Sequence, residues 1–266
     1  MYDNILTEVS NGVGIITLNR PERHNAFDDK MIGELIAAVA AMEADSQVRV
    51  LVVSSTGKSF CAGADLHWMK RAAGYSPQES LDDARQLAEM LRCLAQMGKP
   101  TLARVQGPAY GGGVGLVAAC DVAIATYEAQ FTLSEVKLGI IPAVISPHVI
   151  AAIGERHARR YMLTAERFAA AEAYRIGLVH EIVPDEAALD DAVGEIVDLL
   201  LKNGPGALAA CKDLIRAVSG KPIEAAVIED TAQRIAAIRA SAEGQEGLGA
   251  FLQKRKPNWV TSLGEN

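Results

Sequence analysis

The sequence predicts an α/β fold in which short buried strands alternate with helices, followed by a tail made of helices alone. Continuous apolar runs of strand length occur at Val50–Ser54 and Thr101–Val105, a pattern typical of strands that are covered on both faces. Apolar residues at helical spacing separate these runs, and beyond Pro184 helical spacing alone continues to about Leu252. A layered core with a helical tail accounts for both patterns.

The first predicted element is a β-hairpin. Its strands are Ile5–Ser10 and Gly14–Leu18, and its turn is Asn11-Gly12, a dipeptide that readily adopts the left-handed conformation of a tight turn. A helix is then predicted from about Asp28 to Ala44, because apolar residues recur there at helical spacing. The acids at the start of this helix suit the positive end of its dipole.

The remaining elements follow from the same periodicities. Helices are predicted at Glu79–Met97 and Val114–Cys120, and a short strand at Val122–Ala125. In the tail, Gly204-Pro205 interrupts an apolar helical face, and the proline is well placed to begin the next helix. About three helices are expected beyond that break.

The length of the chain favours one large domain. Its 266 residues are half hydrophobic, which is enough for a sizeable core. Because no low-complexity linker separates the alternating part from the tail, we expect a core over residues 1–200 and a helical region over residues 201–266. A tail without its own linker is expected to pack on that core or on a neighbouring subunit.

Charge and cysteine usage argue against several classes of protein. A net charge of −7 and a pI of about 5.3 disfavour nucleic acid and membrane surfaces as partners. The four cysteines stand singly and the five histidines lie at unrelated spacings, so we expect neither a disulfide framework nor a metal site. Reduced thiols favour a cytoplasmic protein. No signal peptide or membrane-crossing apolar run is recognised.

Two loops rich in small residues are the candidate functional segments. Cys61–Asp65 and Gly107–Gly113 are each expected to lead into a helix, where backbone N–H groups lack partners within the helix and can bind a ligand. Gly63 permits close approach of the backbone. We expect the N–H groups of Ala64 and Gly112 to stabilise a developing negative oxygen, and a buried donor of this kind contributes about 2.7–4 kcal/mol.

Each loop also has a plainer interpretation. The first is also compatible with an ordinary strand-to-helix connection, and the glycine run with a tight turn. The glycines further match a dinucleotide fingerprint, G-x-G-x-x-A, over Gly113–Ala118. That match is weak, because the helix before Val122 spans only about two turns and Glu128 lies beyond the end of the next strand.

Glu135 is the candidate acid–base residue. Burial among apolar neighbours would raise its pKa and allow proton exchange near neutral pH. A solvated loop acid is the alternative interpretation. The neighbours in sequence that favour burial are Phe131, Leu133, Leu138 and Ile140.

Taken together, these segments resemble the crotonase superfamily, the group of enoyl-CoA hydratases and isomerases. The resemblance implies a crotonase-like spiral of ββα units and a C-terminal helical region that builds trimers, so a homotrimer or a dimer of trimers is expected. It also implies an acyl-CoA thioester as the ligand, with coenzyme A as part of the substrate and no separate cofactor. The segments that carry the resemblance are Asn19–Phe27, Phe60–Leu66, Gly107–Asp121, Ser134–Pro142, Ile176–Val179 and Phe251–Pro257.

The resemblance assigns roles to single residues. Ala64 and Gly112 match the family's two oxyanion donors, and Glu135 matches its retained catalytic acid. The positions implied to bind the substrate or its coenzyme A portion are Arg23, Ala62, Gly63, Asp65, Leu66, Phe251 and Lys254. The last two match a pair that commonly reaches coenzyme A from a neighbouring subunit.

One departure from the family pattern affects the predicted activity. Hydratases with two glutamates carry the first where this chain has Gly115, so Glu135 is the acid that remains. The stretch Ile141–Arg156 is most similar to bacterial methylglutaconyl-CoA hydratases. We expect an enoyl-CoA hydratase acting on a branched or 3-methylglutaconyl-type thioester. The alternatives are a Δ3,Δ2-enoyl-CoA isomerase that uses a single glutamate, and a non-catalytic acyl-CoA-binding protein. The acyl pocket is expected within Leu66–Tyr75, Glu79–Met90 and Val144–Ile150.

Overall fold

The computed structural model describes residues 2–261, which form nine strands and eleven α-helices. The strands are β1 (Ile5–Ser10), β2 (Val13–Leu18), β3 (Val50–Ser55), β4 (Thr101–Val105), β5 (Ala109–Tyr110), β6 (Val122–Thr126), β7 (Gln130–Thr132), β8 (Phe168–Ala169) and β9 (Glu181–Val183). The helices are α1 (Asp29–Ala44), α2 (Leu66–Ala72), α3 (Pro77–Gln96), α4 (Gly112–Ala119), α5 (Ser146–Thr164), α6 (Ala170–Arg175), α7 (Glu186–Leu201), α8 (Pro205–Val218), α9 (Ala225–Ala240), α10 (Ala242–Leu252) and α11 (Asn258–Thr261).

Six strands form the large sheet, in the order β1-β2-β3-β4-β6-β9. The predicted hairpin β1–β2 is antiparallel, and the other neighbours are parallel. Asn11 and Gly12 take φ values of 49° and 82° in the hairpin turn, the left-handed conformation that the sequence predicts. In the centre, Val52 pairs with Ile15 on one side and Leu102 on the other.

The central strand β3 explains why its sequence is apolar without alternation. Leu51 and Val53 belong to the larger core cluster, which also takes in side chains of α1, α3 and α4. Val50 and Val52 belong to a second cluster, which includes α7. Because helices cover both faces of the sheet, every position of β3 is buried, as the continuous apolar run predicts.

A second, three-stranded sheet in the order β5-β7-β8 was not predicted from the sequence. Its strands have two or three residues each, too few to show a twofold alternation of apolar residues. Tyr110 of β5 pairs in parallel with Thr132 of β7. This small sheet holds the glycine run beside the segment that leads to Glu135.

Helix α8 of the tail is hydrogen-bonded to the core of the same chain. The Lys212 ammonium of α8 donates to Asp121 over 2.5 Å and to the Lys99 carbonyl over 2.9 Å. Asp121 also accepts from the Thr101 N–H over 2.7 Å, so its carboxylate orients the backbone at the start of β4. Residues 262–266 of the predicted helical region lie outside the described residues, and the division at residue 200 stays a prediction.

Most predicted elements are confirmed with small shifts at their ends. Helix α1 follows Asp28, whose side chain accepts from the Met31 N–H as an N-cap. Helix α4 begins at Gly112, two residues earlier than predicted. Helix α2 follows the first small-residue loop, as expected, with Asp65 as its N-cap. The prediction omitted α5, which contains a kink at Gly154, where φ is 73°.

Membrane-spanning helices and metal-ligand clusters are both absent from the described part of the chain. No helix between residues 2 and 261 is long and apolar enough to cross a membrane. Over the same residues, no three His, Cys, Asp or Glu side chains cluster as metal ligands would.

Candidate active site

The two small-residue loops lie side by side because their backbones pair. The Cys61 N–H donates to the Pro108 carbonyl over 3.2 Å, and the Tyr110 N–H donates to the Cys61 carbonyl over 2.9 Å. Gly113 packs so closely here that a Cβ added to it would lie 2.4 Å from the Cys61 carbonyl oxygen. This pairing fixes the distance between the two loops.

The first loop exposes the Ala64 amide. Phe27 donates its N–H to the Gly63 carbonyl over 2.8 Å and accepts from the Asp65 N–H over 2.9 Å. Ala64 lies between these two bonds, and its own N–H has no acceptor in the described part of the chain. Gly63 has a φ of 86°, and a Cβ there would lie 2.8 Å from the Tyr110 carbonyl oxygen, so a side chain at this position would be strained.

The second loop presents the Gly112 amide at the start of α4. Gly111 has a φ of 51°, and its N–H donates to the Thr132 carbonyl over 2.8 Å. The Gly112 N–H finds no acceptor within residues 2–261. Its nitrogen lies 3.7 Å from the place that a Cβ on Gly63 would take. Ala64 and Gly112, the residues with these two unpaired amides, therefore belong to adjacent loops and line the same cavity.

Glu135 begins a short 3-10 helix, Glu135–Leu138, directly after β7. A Cβ on Gly111 would lie 3.2 Å from its Oε1 atom, so the carboxylate lies beside the glycine run. Its Oε2 atom is buried and has no hydrogen-bond partner in the described chain. Burial raises the pKa of Glu135, opposed in part by a hydrogen bond with its own backbone. The predicted direction of this pKa shift is confirmed.

The four apolar neighbours of Glu135 in sequence differ in their exposure. Phe131 and Leu133 are fully buried and do not line the cavity. Leu138 and Ile140 do line it, but each leaves more than half of its surface exposed. Phe131 and Leu133 therefore belong to the core, and Leu138 and Ile140 lie at the exposed part of the cavity lining.

The cavity beside Glu135 has a volume of about 490 Å³. Apolar side chains make up most of its wall. All three segments expected to form the acyl pocket, Leu66–Tyr75, Glu79–Met90 and Val144–Ile150, contribute residues to it. Leu138–Ala143 was not expected there. The lining residues are Phe27, Ala62, Gly63, Ala64, Leu66, Trp68, Met69, Ala72, Asp83, Ala84, Leu87, Gly111, Gly112, Ser134, Glu135, Leu138, Ile140, Ile141, Pro142, Ala143, Val144 and Ile145.

Gly115 cannot carry a side chain in this packing. A Cβ there would lie 2.4 Å from Cγ2 of Ile145 and 3.5 Å from Cδ1 of Leu91. The space beside Gly115 is therefore filled by apolar groups. The glycines at 113 and 115 thus serve close packing of α4, which accounts for the resemblance to a dinucleotide fingerprint without any ligand.

The residues implied to bind coenzyme A fall into two groups. Ala62, Gly63 and Leu66 line the cavity. Asp65 is 4% exposed, and its carboxylate accepts from the His67 and Trp68 N–H groups and from Arg20. Its side chain is therefore occupied inside the protein, as the N-cap of α2.

The other implied positions do not line this cavity. They are Arg23, which ends the 3-10 helix Pro21–Arg23, and the exposed pair Phe251 and Lys254 in the tail. Phe251 leaves 81% of its surface exposed. Their roles stay predictions.

One pair of cavity residues was missed by the sequence analysis. The Trp68 Nε1–H donates to Oδ1 of Asp83 over 2.9 Å, which links α2 to α3. Asp83 falls within Glu79–Met90, a segment that was expected to line the pocket, but this segment contains four acids and the sequence does not single one of them out. Only the tertiary contact with Trp68 distinguishes it.

Comparisons with known proteins identify the family and the fold of the chain. The family model described as enoyl-CoA hydratase/isomerase matches residues 8–262. A solved enoyl-CoA hydratase from Shewanella pealeana superimposes with a TM-score of 0.95 at 44% identity, over 97% of each chain. The expected crotonase fold is thereby confirmed.

Curated relatives differ in the activity that their names state. The crotonyl-CoA hydratase of Syntrophomonas wolfei is 32% identical over 98% of this chain and 99% of its own. The 1,2-epoxyphenylacetyl-CoA isomerase of Escherichia coli is 31% identical over 98% of this chain and 99% of its own.

Proposed function

Since the chain belongs to the enoyl-CoA hydratase/isomerase family, and is an enzyme of that family, we propose that it adds water across the 2,3-double bond of an acyl-CoA thioester. One observation carries the proposal. The unpaired amides of Ala64 and Gly112 lie at the same cavity as Glu135, the acid with a buried and unpaired oxygen. The two amides can form an oxyanion site for the thioester carbonyl, and Glu135 can donate a proton to the acyl chain.

The two amides act on the thioester oxygen. As water adds at Cβ, the electrons of the double bond move towards the carbonyl, and negative charge develops on its oxygen. The N–H groups of Ala64 and Gly112 donate to that oxygen. Because they are held by backbone pairing before substrate binds, they need no rearrangement, and each is worth about 2.7–4 kcal/mol of transition-state stabilisation.

Glu135 exchanges the proton at Cα. A carboxyl group with a raised pKa carries its proton closer to neutral pH than an ordinary glutamate does. Donation of that proton to Cα completes the addition, and the reverse transfer begins dehydration. Gly115 supplies no second acid, so another group must orient the attacking water.

The substrate class follows from the cavity wall. Its apolar side chains suit a short branched acyl group, and the resemblance of Ile141–Arg156 extends the proposal to 3-methylglutaconyl thioesters. A distal carboxylate would need a cation, and the candidates Lys70 and Arg71 lie on α2 beside lining residues. Turnover of crotonyl-, 3-methylcrotonyl- and 3-methylglutaconyl-CoA, measured side by side, tests this assignment.

The coenzyme A portion of the substrate extends from the cavity over the protein surface. We assign Ala62, Gly63 and Leu66 to its pantetheine end, and Arg23 to a phosphate. Phe251 and Lys254 reach it from a neighbouring subunit of a cytoplasmic homotrimer or dimer of trimers, in which residues 201–266 contribute the contacts. The exposed apolar side chains that support such contacts are Ile215, Ile223, Ile228, Ile235, Leu248 and Leu252.

The replacement Glu135→Gln tests the hydratase proposal. We expect turnover of crotonyl-CoA to fall by about 100-fold or more, because the amide cannot exchange the proton, while binding of coenzyme A changes little. Glu128→Gln, at an exposed loop acid, is the matched control. Near-normal turnover in Glu135→Gln would remove this residue from the mechanism.

The second candidate function is Δ3,Δ2-enoyl-CoA isomerisation. The apolar packing of Gly115 favours it, since moving one proton between two carbons needs only Glu135. Incubation of 3-enoyl-CoA and 2-enoyl-CoA in labelled water separates the two activities. Labelled oxygen in the product supports hydration, and a shifted double bond without label supports isomerisation.

A further inference from the structure

Asp83 is a second carboxylate in the wall of the cavity. Among the described residues that line it, Asp83 and Glu135 alone carry a charged side chain. Asp83 is half-buried, whereas its neighbour Asp82 is exposed and binds Gln78 and Arg85. The two adjacent aspartates of α3 therefore have different surroundings, and only one of them faces the cavity.

Helix α3 carries Asp83 towards the same region as Gly115. Asp83, Leu87 and Leu91 are spaced four residues apart, so they lie on one face of the helix. Leu91 packs next to Gly115, and Leu87 and Asp83 continue along the cavity wall. Gly115 and Leu91 do not themselves line the cavity, so the acid that α3 contributes to its wall is Asp83, two turns before Leu91.

A fixed hydrogen bond orients this carboxylate. The indole Nε1–H of Trp68 donates to Oδ1 over 2.9 Å, and the Trp68 ring is 6% exposed. The donor is therefore held by packing. No hydrogen bond to Oδ2 is present within residues 2–261, so that oxygen is available to a water molecule.

We propose that Asp83 is the second carboxylate of the hydration reaction, which orients the attacking water and accepts its proton. This inference rests on the proposed function and supplies the group that Gly115 lacks. In inverting glycoside hydrolases, two carboxyl groups about 6.5–9.5 Å apart hold a water between them. Asp83 and Glu135 both line the cavity of about 490 Å³, so both carboxylates border the space proposed for the acyl group and the water.

The proton balance is simple. The water oxygen forms a bond to Cβ as one of its O–H bonds breaks, and that proton passes to Asp83. The electron pair of the double bond takes the proton of Glu135 at Cα. The product is the 3-hydroxyacyl thioester, with Asp83 protonated and Glu135 ionised. Transfer of one proton from Asp83 to Glu135 through solvent restores the starting state.

The surroundings of Asp83 suit a proton acceptor. Burial raises the pKa of Asp83, the Trp68 hydrogen bond lowers it, and the charges of Asp29 and Arg71 raise and lower it respectively. These groups come from α1 and α2, the helices that face Asp83. A carboxylate with a raised pKa is a stronger base than an exposed aspartate.

The decisive experiment compares two reactions in one variant, Asp83→Asn. The first is hydration of crotonyl-CoA, which needs water. The second is exchange of the Cα hydrogen of butyryl-CoA in D₂O, which needs only the oxyanion donors and Glu135. We expect hydration to fall by about 100-fold or more and exchange to stay within about threefold. Asp82→Asn, one residue away, should leave both reactions unchanged.

Equal losses of hydration and exchange in Asp83→Asn would indicate a structural role and overturn the proposal, as would unchanged hydration. Unchanged hydration in Asp83→Asn would leave the proposed function intact. That function is tested separately by Glu135→Gln, in which both hydration and exchange should be lost. An unaltered enzyme that exchanges the Cα hydrogen without hydrating crotonyl-CoA would overturn both.

Trp68→Phe provides a second test that does not depend on the folding of Asp83→Asn. Loss of the indole N–H removes the bond that lowers the pKa of Asp83, so the acidic limb of the kcat profile for hydration should move to higher pH. The pH profile of Cα exchange should not move. Identical hydration profiles for Trp68→Phe and the unaltered enzyme would contradict the proposal.

Discussion

The N–H of Tyr110 donates to the carbonyl of Cys61 over 2.9 Å, and this bond ties together the two loops whose amides we assign to the oxyanion site. Cys61 itself is fully buried, and burial raises the pKa of its thiol to about 12. A thiol in that state is unreactive. Its position is set by its backbone, which places Ala64 three residues later beside Gly112.

Gly63→Ala should reduce turnover by displacing the Ala64 amide. The native φ of 86° disfavours an alanine, and its Cβ would lie 2.8 Å from the Tyr110 carbonyl oxygen. Misplacing one oxyanion donor costs about 100-fold or more in kcat. Steady-state kinetics with crotonyl-CoA measures the effect. Gly33→Ala, where nothing lies within 4 Å of the added Cβ, is the control, and equal kcat values in the two variants would refute the assignment.

Gly115→Glu should impair the enzyme although it restores the acid of two-glutamate hydratases. The new Cβ would lie 2.4 Å from Ile145 Cγ2, and overpacking of this kind costs about 1–3 kcal/mol of stability. Urea unfolding and crotonyl-CoA turnover measure the outcome. The double variant Gly115→Glu with Ile145→Ala should recover part of the stability. A single variant that is both faster and equally stable would contradict this packing.

Glu135→Gln should increase stability at neutral pH and not at pH 4. The pKa of Glu135 is higher in the folded chain than its ordinary value of 4.5, so folding favours the protonated form. The free energy of unfolding therefore falls as the pH rises from the ordinary pKa to the folded pKa of Glu135. Above the folded pKa, the whole cost of burying the ionised carboxylate is present. Removing the charge should recover about 1 kcal/mol at pH 7. Urea unfolding at both pH values tests this, and a difference independent of pH would contradict it.

Asp65→Ala should destabilise the protein more than it weakens substrate binding. The carboxylate caps α2 and binds Arg20, which is 14% exposed. Burial opposes ionisation, but the His67 and Trp68 N–H groups and Arg20 hold the pKa of Asp65 below its usual value. Loss of the cap and the ion pair should cost about 2 kcal/mol or more.

The control for that variant is Asp82→Ala, at an exposed helical position where the change should stay within about 0.5 kcal/mol. KM for crotonyl-CoA should hardly move in either variant. A rise in KM of about tenfold without loss of stability would mean that the Asp65 side chain binds the substrate directly.

The sequence predicts those parts of the site that depend on local backbone. Gly63 and Gly111 stand in loops where only small residues allow the observed conformation, and Glu135 stands next to an apolar run. The structure brings these segments together, although the roles of Ala64 and Gly112 stay predictions. The order of β1, β2, α1, β3, α3, β4, α4 and β6 also follows from turn signals and periodicity.

The remaining features arise from tertiary contacts. The bond between Trp68 and Asp83 joins two helices that sequence spacing does not relate. Ile145 fills the space beside Gly115, thirty residues away in the chain. The strands β5, β7 and β8 are too short for a periodic signal. These contacts and short strands can be recognised only in the folded structure.

The most direct test of the account is the crystal structure of the enzyme with bound butyryl-CoA. We predict that the thioester oxygen lies about 2.7–3.1 Å from the amide nitrogens of both Ala64 and Gly112, the distance that an oxyanion site requires, with the Glu135 carboxylate next to Cα. A thioester oxygen bound by other groups, or a Glu135 carboxylate turned away from Cα, would contradict the account.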